Sequence, residues 1–195
     1  MIRIFEGMKQ YSFLPSFLLI VSLLLIFTNP AYSQVYKEQL KNHVSLLASD
    51  KMKGRGTGSK EVKKAAKYIE DKFKEYALQP KGEKGYRQSF LAKVTRVIVK
   101  DSIRRADNII GLIDNGAPYT VVIGAHYDHL GLGYQGGARD SLGIGQIHNG
   151  ADDNASGVAG LLELARHYSS NDIIEKFNLL FIAFGAEELG LLGSK

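Results

Sequence analysis

The sequence predicts an α/β fold with parallel strands near its centre, and three observations carry that prediction. Tyr119–Ala125 (YTVVIGA) and Asn178–Phe184 (NLLFIAF) are apolar along their whole length, as strands covered on both faces are. Between them, Ser156–Tyr168 places Val158, Leu161, Leu162 and Leu164 at helical spacing. A strand–helix–strand unit of this kind is almost always a right-handed crossover joining parallel strands. Polar clusters stand just past both strands and just before the helix, and open α/β sheets bind ligands outside the carboxyl ends of their strands.

The remaining elements follow in chain order. Residues 1–33 are expected to be a signal peptide: Arg3 and Lys9 precede the apolar run Phe13–Phe27, Asn29-Pro30 breaks it, and Ala31-Tyr32-Ser33 has the small-x-small pattern of a cleavage site. The run is shorter than the ~20 residues of a spanning helix, so cleavage is favoured over a retained membrane anchor. Export to the outside or the periplasm follows, with the mature chain starting at Gln34. Val35–Ala48 is expected to be a first helix and Ser49–Ser59 a glycine-bearing loop. In Lys60–Leu78, Val62, Ala65, Ala66, Ile69, Phe73 and Tyr76 form one apolar stripe, and Gln79-Pro80 closes the helix. Lys81–Tyr86 is a turn, and Gln88–Lys100 and Asn108–Ile113 are rich in β-branched residues, as strands are. Asp114-Asn115-Gly116 is a turn between apolar runs. His126–Gly150 is a long glycine-rich loop, and a further helix is expected from Glu187 onward.

Composition narrows the chemistry. The 195 residues include no cysteine, which excludes disulfides and thiolate metal sites. Hydrophobic residues make up 45% and charged residues 23%, a globular rather than a disordered balance. The net charge of +5 is unevenly laid out: Lys37–Arg105 holds 19 Lys and Arg against 8 Asp and Glu, whereas Ala106–Lys195 holds 4 against 11. In the basic half the lysines alternate with the apolar stripe of a helix, as on a solvated face, and the aromatics lie on the stripe. A nucleic-acid surface would interleave arginine with exposed stacking aromatics, so nucleic acid is not an expected partner.

The acidic half holds His126-Tyr127-Asp128-His129 after the first buried strand, Asp152-Asp153-Asn154 before the helix, and Glu187-Glu188 after the second strand. Each cluster alone has a plain structural reading: a buried histidine, an N-cap run, first-turn helix acids. Their convergence on one sheet edge suits a divalent metal held by imidazole and carboxylate, zinc or a similar ion, in one or two copies. In His126-x-Asp128 the carboxylate is placed to hold the second imidazole nitrogen. One member of the Glu187-Glu188 pair could bind metal while the other takes a proton from water. His43, His129, His148 and His167 carry no assigned role, although His148 lies near enough in sequence to line a substrate pocket. Gly131-Leu132-Gly133-Tyr134-Gln135-Gly136 matches a dinucleotide-binding pattern but leads into more glycine, not into a helix, and is set aside.

The segments VVIGAHYDHLG, NGADDNASGVAGLLELAR and FIAFGAEELGLLGS, in that order, resemble the zinc-dependent aminopeptidase family of co-catalytic metallopeptidases, whose members include bacterial leucyl aminopeptidase and glutamate carboxypeptidase II. The upstream stretch LLASDKMKGRGTGSKEVKKAAKYIEDKF resembles secreted bacterial members. The resemblance implies a three-layer fold, a mixed sheet flanked by helices, with two zinc ions and peptide substrates. It implies that His126, Asp153 and Glu188 bind metal, with Asp153 bridging, and that Asp128 orients His126. It implies that Glu187 takes the proton of an attacking water and returns it to the leaving amine. Asp152 is then a neighbour, not a ligand. The family's two further ligands, an aspartate and a histidine, lie downstream of the double glutamate, and this sequence ends at Lys195. Residues 34–195 are therefore expected to be a partial, C-terminally truncated domain with little peptidase activity. A zinc-dependent cyclase of N-terminal glutamine and a non-catalytic binding module on the same scaffold are the alternatives. The bridging-type Asp153 favours the peptidase over the cyclase, and retention of both Glu187 and Glu188 argues against the binding module.

Overall fold

The computed structural model describes residues 30–93, 103–135 and 143–195, with side chains from Tyr36 onward. The sheet belongs to a compact unit of residues 38–195. The expected leader falls almost entirely outside the described residues, as do residues 94–100 of the long strand expected from Gln88. Among the described residues no helix is long and apolar enough to cross a membrane.

The elements are α1 (Pro30–Leu47), a 3-10 segment (Asp50–Arg55), α2 (Lys60–Glu75), β1 (Gln79–Pro80), β2 (Arg87–Lys93), β3 (Ile103–Ile113), β4 (Thr120–His126), α3 (Gly157–Ser170), β5 (Asn178–Phe184) and a closing 3-10 turn (Leu192–Ser194). They form a mixed sheet flanked by helices. β4 and β5 pair in parallel, β5 pairs antiparallel with β3, and β1 and β2 both pair antiparallel with β3. The crossover expected between β4 and β5 is present, with α3 as its helix.

Each helix forms for a visible reason. α2 starts at Ser59, whose Oγ accepts a hydrogen bond from the Val62 amide at 3.0 Å, so one orphan donor of the first turn is satisfied. Its stripe of Val62, Ala65, Ala66, Ile69 and Phe73 is buried. Its exposed lysines pair along the helix, Lys67 with Asp71 and Lys74 with Glu70, as on the solvated face the sequence predicts. α3 buries Val158, Leu161 and Leu162. These side chains share one core with Leu47 of α1, Ile69 and Phe73 of α2, and Leu179, Phe181 and Ala183 of β5.

Several expectations are corrected. β4 is not covered on both faces: Val121 is 43% and Val122 57% exposed. It is the outer strand of the described sheet, so its side chains have a neighbouring strand on one side only. In β5 alternate residues are buried while those between them are half-buried, since the helical core collects Leu179, Phe181 and Ala183. Asp114-Asn115-Gly116 does turn, with Gly116 at φ +66 and its amide donating to Asp114 Oδ1 at 3.0 Å, but it closes no hairpin, because β5 lies between β3 and β4. β3 starts at Ile103, five residues before its apolar run, because Lys93–Arg87 of β2 pair along Ile103–Ile109; pairing, not hydrophobicity, extends it. No α-helix starts at Glu187: Ala186 and Leu191 have φ of 57° and 60°, which an α-helix does not accommodate, and the chain turns instead.

One polar cluster lies inside the helical layer. His43 on α1 is 2% exposed. Its Nδ1 is 2.6 Å from the Tyr68 hydroxyl and its Nε2 3.2 Å from Glu163 Oε1, and Arg166 braces the same carboxylate. Burial pulls the His43 pKa below 6.5, against the opposing pull of Glu163, with Lys72 and Arg166 adding to the lowering. The unfolded chain therefore holds more protons just below pH 6.5, and stability falls as the pH drops through that value. A His43→Gln variant is expected to show a flatter loss of stability on acidification, measured as urea midpoints on either side of pH 6.5.

Candidate metal centre

The parallel register places His126 opposite Phe184, so the chain leaves β4 and β5 side by side at one end of the sheet. The Tyr127 amide continues the ladder with a 3.0 Å bond to the Phe184 carbonyl. The Ala151–Ser156 segment that leads into α3 opens at the same end, from Gly150 at φ +59. Topology alone thus brings the three polar clusters together.

Capping of α3 falls to Asn154, whose Oδ1 accepts from the Gly157 amide at 3.0 Å. The aspartates beside it are left exposed. Asp153 turns toward β4: its Oδ1 is 3.0 Å from His126 Nε2, and Glu187 Oε2 is 3.8 Å from the same nitrogen. The other ring nitrogen, Nδ1, lies 3.1 Å from the carbonyl oxygen of Asp128 and 3.8 Å from its carboxylate. A proton on Nδ1, donated to that carbonyl, leaves Nε2 as the nitrogen aimed at Asp153.

Asp128 is fully buried. Its Oδ1 accepts from the Glu187 amide at 3.0 Å, and its Oδ2 from the Glu188 amide at 3.4 Å and the Thr57 hydroxyl at 3.0 Å. Burial pushes its carboxyl up to about 6, with the Glu187 amide foremost among the groups that oppose the rise. The Asp128 side chain thus ties the backbone of the glutamate pair, while its main-chain carbonyl holds the His126 ring. Glu187 and Glu188 then project differently: Glu187 reaches His126, and Glu188 Oε1 meets His129 Nδ1 at 2.6 Å.

His129 is the residue that sequence reasoning missed. His129, Asp153 and Glu188 each offer one ligand atom, and these atoms lie within 4.8 Å of one another. The His126-x-Asp128 spacing drew the reading to His126 and left His129 without a role, whereas the structure sets His129 against the second glutamate. His148, weighed as a pocket residue, has its Nε2 3.1 Å from the Gly143 carbonyl within its own loop. Thr57 was also missed, because it lies 71 residues upstream of its partner Asp128. The donor set fits zinc: imidazole nitrogen and carboxylate oxygen, with one carboxylate, Asp153, within reach of both histidines.

The chain is similar to known proteins in sequence and in fold. Residues 108–195 match the sequence model of Peptidase family M28. The chain is 40% identical to Aminopeptidase YwaD of Bacillus subtilis (strain 168) over 77 residues, 40% of this chain and 13% of that protein. It shares its fold with a Zn-dependent exopeptidase from Parabacteroides distasonis (TM-score 0.61, 23% identity, 78% of this chain and 47% of that one). The same fold is found in Tannerella forsythia glutaminyl cyclase (TM-score 0.60, 19% identity, 78% and 47%). The chain thus spans less than half the length of these proteins. Residues 108–195, the stretch that matches Peptidase family M28, hold His126, Asp128, His129, Asp153, Glu187 and Glu188.

Proposed function

We propose that this chain carries zinc-binding and proton-transfer residues of an exported aminopeptidase that hydrolyses N-terminal peptide bonds. The observation that supports it best is the gathering of His126, His129, Asp153, Glu187 and Glu188 at the carboxyl end of the parallel pair β4–β5. His126, Asp153 and Glu188 are the proposed ligands, with His129 as a further donor. Asp153, within reach of both histidines, would be the residue to be shared if two ions were bound. A bound zinc supplies Lewis acidity toward the scissile carbonyl and acidifies water.

The chain's own residues do the rest. Glu187 takes a proton from the attacking water on its carboxylate and gives it to the leaving amine. Its side chain is 32% exposed, so it reaches solvent as a proton carrier must. Asp128 fixes where Glu187 and Glu188 start, through their amides, and so holds base and ligand apart. The apolar run and small-x-small site within residues 1–33 support export, and peptides are the proposed substrates.

A second reading, cyclisation of N-terminal glutamine, is supported by the glutaminyl cyclase fold and by a compact His129–Asp153–Glu188 group that suits one ion. Stoichiometry and product distinguish the two: two zinc ions and release of amino acids from aminoacyl-p-nitroanilides support the peptidase, whereas one zinc and pyroglutamate formation support the cyclase. Absence of zinc binding overturns both. In any form of the protein that hydrolyses such substrates, Glu187→Gln is expected to keep its zinc and lose roughly 10²–10⁴-fold in kcat, with little change in KM.

A further inference from the structure

The segment Gly54-Arg55-Gly56-Thr57 holds a feature that the proposed chemistry does not use. Arg55 is a charged residue with 0% exposure, and its guanidinium donates to main-chain carbonyls. Its Nε donates to Tyr127 at 2.8 Å, Nη1 to Asn149 at 2.8 Å and Nη2 to Gly150 at 2.9 Å; Nη1 also donates to Leu47, in the last turn of α1. Tyr127 stands between His126 and Asp128, and Gly150 opens the segment that carries Asp153. The main chain of the same segment reinforces these bonds. The Arg55 carbonyl accepts from the His129 amide at 3.2 Å, and the Gly54 carbonyl accepts from the Gly131 amide at 2.9 Å.

We infer that Arg55 is the positioning residue of the metal centre: its guanidinium fork locks the His126–His129 loop to the Gly150–Asp153 loop, so that imidazoles and carboxylate are presented together. Arg55 touches neither metal nor substrate; it acts through the two loops. A planar guanidinium spreads its donors over a fork wide enough to reach carbonyls on three separate segments. A lysine has the charge but one nitrogen. Burial lowers the Arg55 pKa to about 10, against the pull of Asp128, Asp153 and Glu188, so it remains a cation at neutral pH and balances the acids gathered in front of it. The locking of the loops stands on hydrogen bonds alone; its bearing on metal rests on the function proposed above.

The test uses amide hydrogen exchange on the metal-free chain. In the parent protein the amides of His129 and Gly131 are expected to exchange at least ~10-fold more slowly than an unprotected loop. In Arg55→Lys and Arg55→Met, exchange across residues 127–131 and 150–156 is expected to rise about 10-fold or more, while the cores of α3 and β5 keep the parent rates. Ile69→Val, a core change in α2, serves as the control for general loosening and leaves the two loops alone. Zinc affinity, measured by chelator competition, is expected to fall about 10–100-fold in Arg55→Lys but not in Ile69→Val. Fast exchange of His129 and Gly131 in the parent, unchanged loops in the Arg55 variants, or a uniform rise over α3 and β5 would each overturn the inference. A parent chain that takes up no zinc defeats the metal reading instead, and the exchange result still decides the role of Arg55.

Discussion

The Asp153→Asn variant is expected to bind zinc about 100-fold or more weakly than the parent chain, since under the proposed ligand set it loses a charged ligand atom in a site built of few. Asp153 is the largest single lever because its carboxylate lies 3.0 Å from His126 Nε2 and also belongs to the group with His129 and Glu188. It has little structural work to lose. Its side chain is 64% exposed, and the capping bond to α3 comes from Asn154. Stability should therefore stay within about 0.5 kcal/mol of the parent, as for a surface change away from packing. Asp152→Asn is the matched control: an exposed aspartate one position earlier, expected to keep its zinc affinity within about 2-fold. Titration calorimetry on the three proteins, each with its urea midpoint, checks both halves. Equal loss in the two variants would point to general charge, not to ligation.

The second large effect concerns the cradle under the site. Gly54→Ala should destabilise the chain by about 3 kcal/mol or more, combining left-handed strain with displaced backbone. Gly54 has φ +67, and a Cβ there would collide with the carbonyl oxygens of both Gly131 and His148. Both obstructing atoms are main chain, so no side-chain rotation relieves the clash. Gly85 provides an internal comparison, because it also has φ +67 but nothing lies within 4 Å of where its Cβ would stand. Gly85→Ala carries only the conformational penalty, about 1 kcal/mol. Urea denaturation of the pair isolates the close approach of the two loops from the cost of the backbone conformation. Equal losses would mean that the Gly54 segment can move away from Gly131 freely.

How much was readable in advance depended on which physical signal carried each element. β4, α3 and β5 were visible because apolar runs of strand length and an amphipathic helical period are written directly into the sequence, although the runs overstated how far β4 is covered. The placement of His126, Asp153, Glu187 and Glu188 at one edge then followed from right-handed connection of parallel strands. β3 was under-read because its first residues are Ile103-Arg104-Arg105, whose strand state depends on pairing with β2 and not on their own pattern. The segment after Glu187 was misread because acids and leucines mimic a helix start, while the left-handed backbone of Ala186 and Leu191 has no local signature in the sequence. Arg55 and Thr57 were invisible for another reason: their partners are loop carbonyls and a buried carboxylate far along the chain, and no local pattern encodes such a contact. His129 was within view but was passed over for His126, because its contact with Glu188 is a tertiary distance that no local spacing encodes.

Zinc held by the polar clusters at the end of β4 and β5 is the premise on which the proposed chemistry stands. Anomalous diffraction at the zinc edge, from crystals of the zinc-loaded chain, locates the ion without reference to activity. A peak is expected beside Asp153, with carboxylate oxygens of Asp153 and Glu188 and at least one of the nitrogens of His126 and His129 at ~2.0–2.2 Å. A peak elsewhere, such as between His43 and Glu163, or zinc-loaded crystals with no peak at Asp153, would refute the premise.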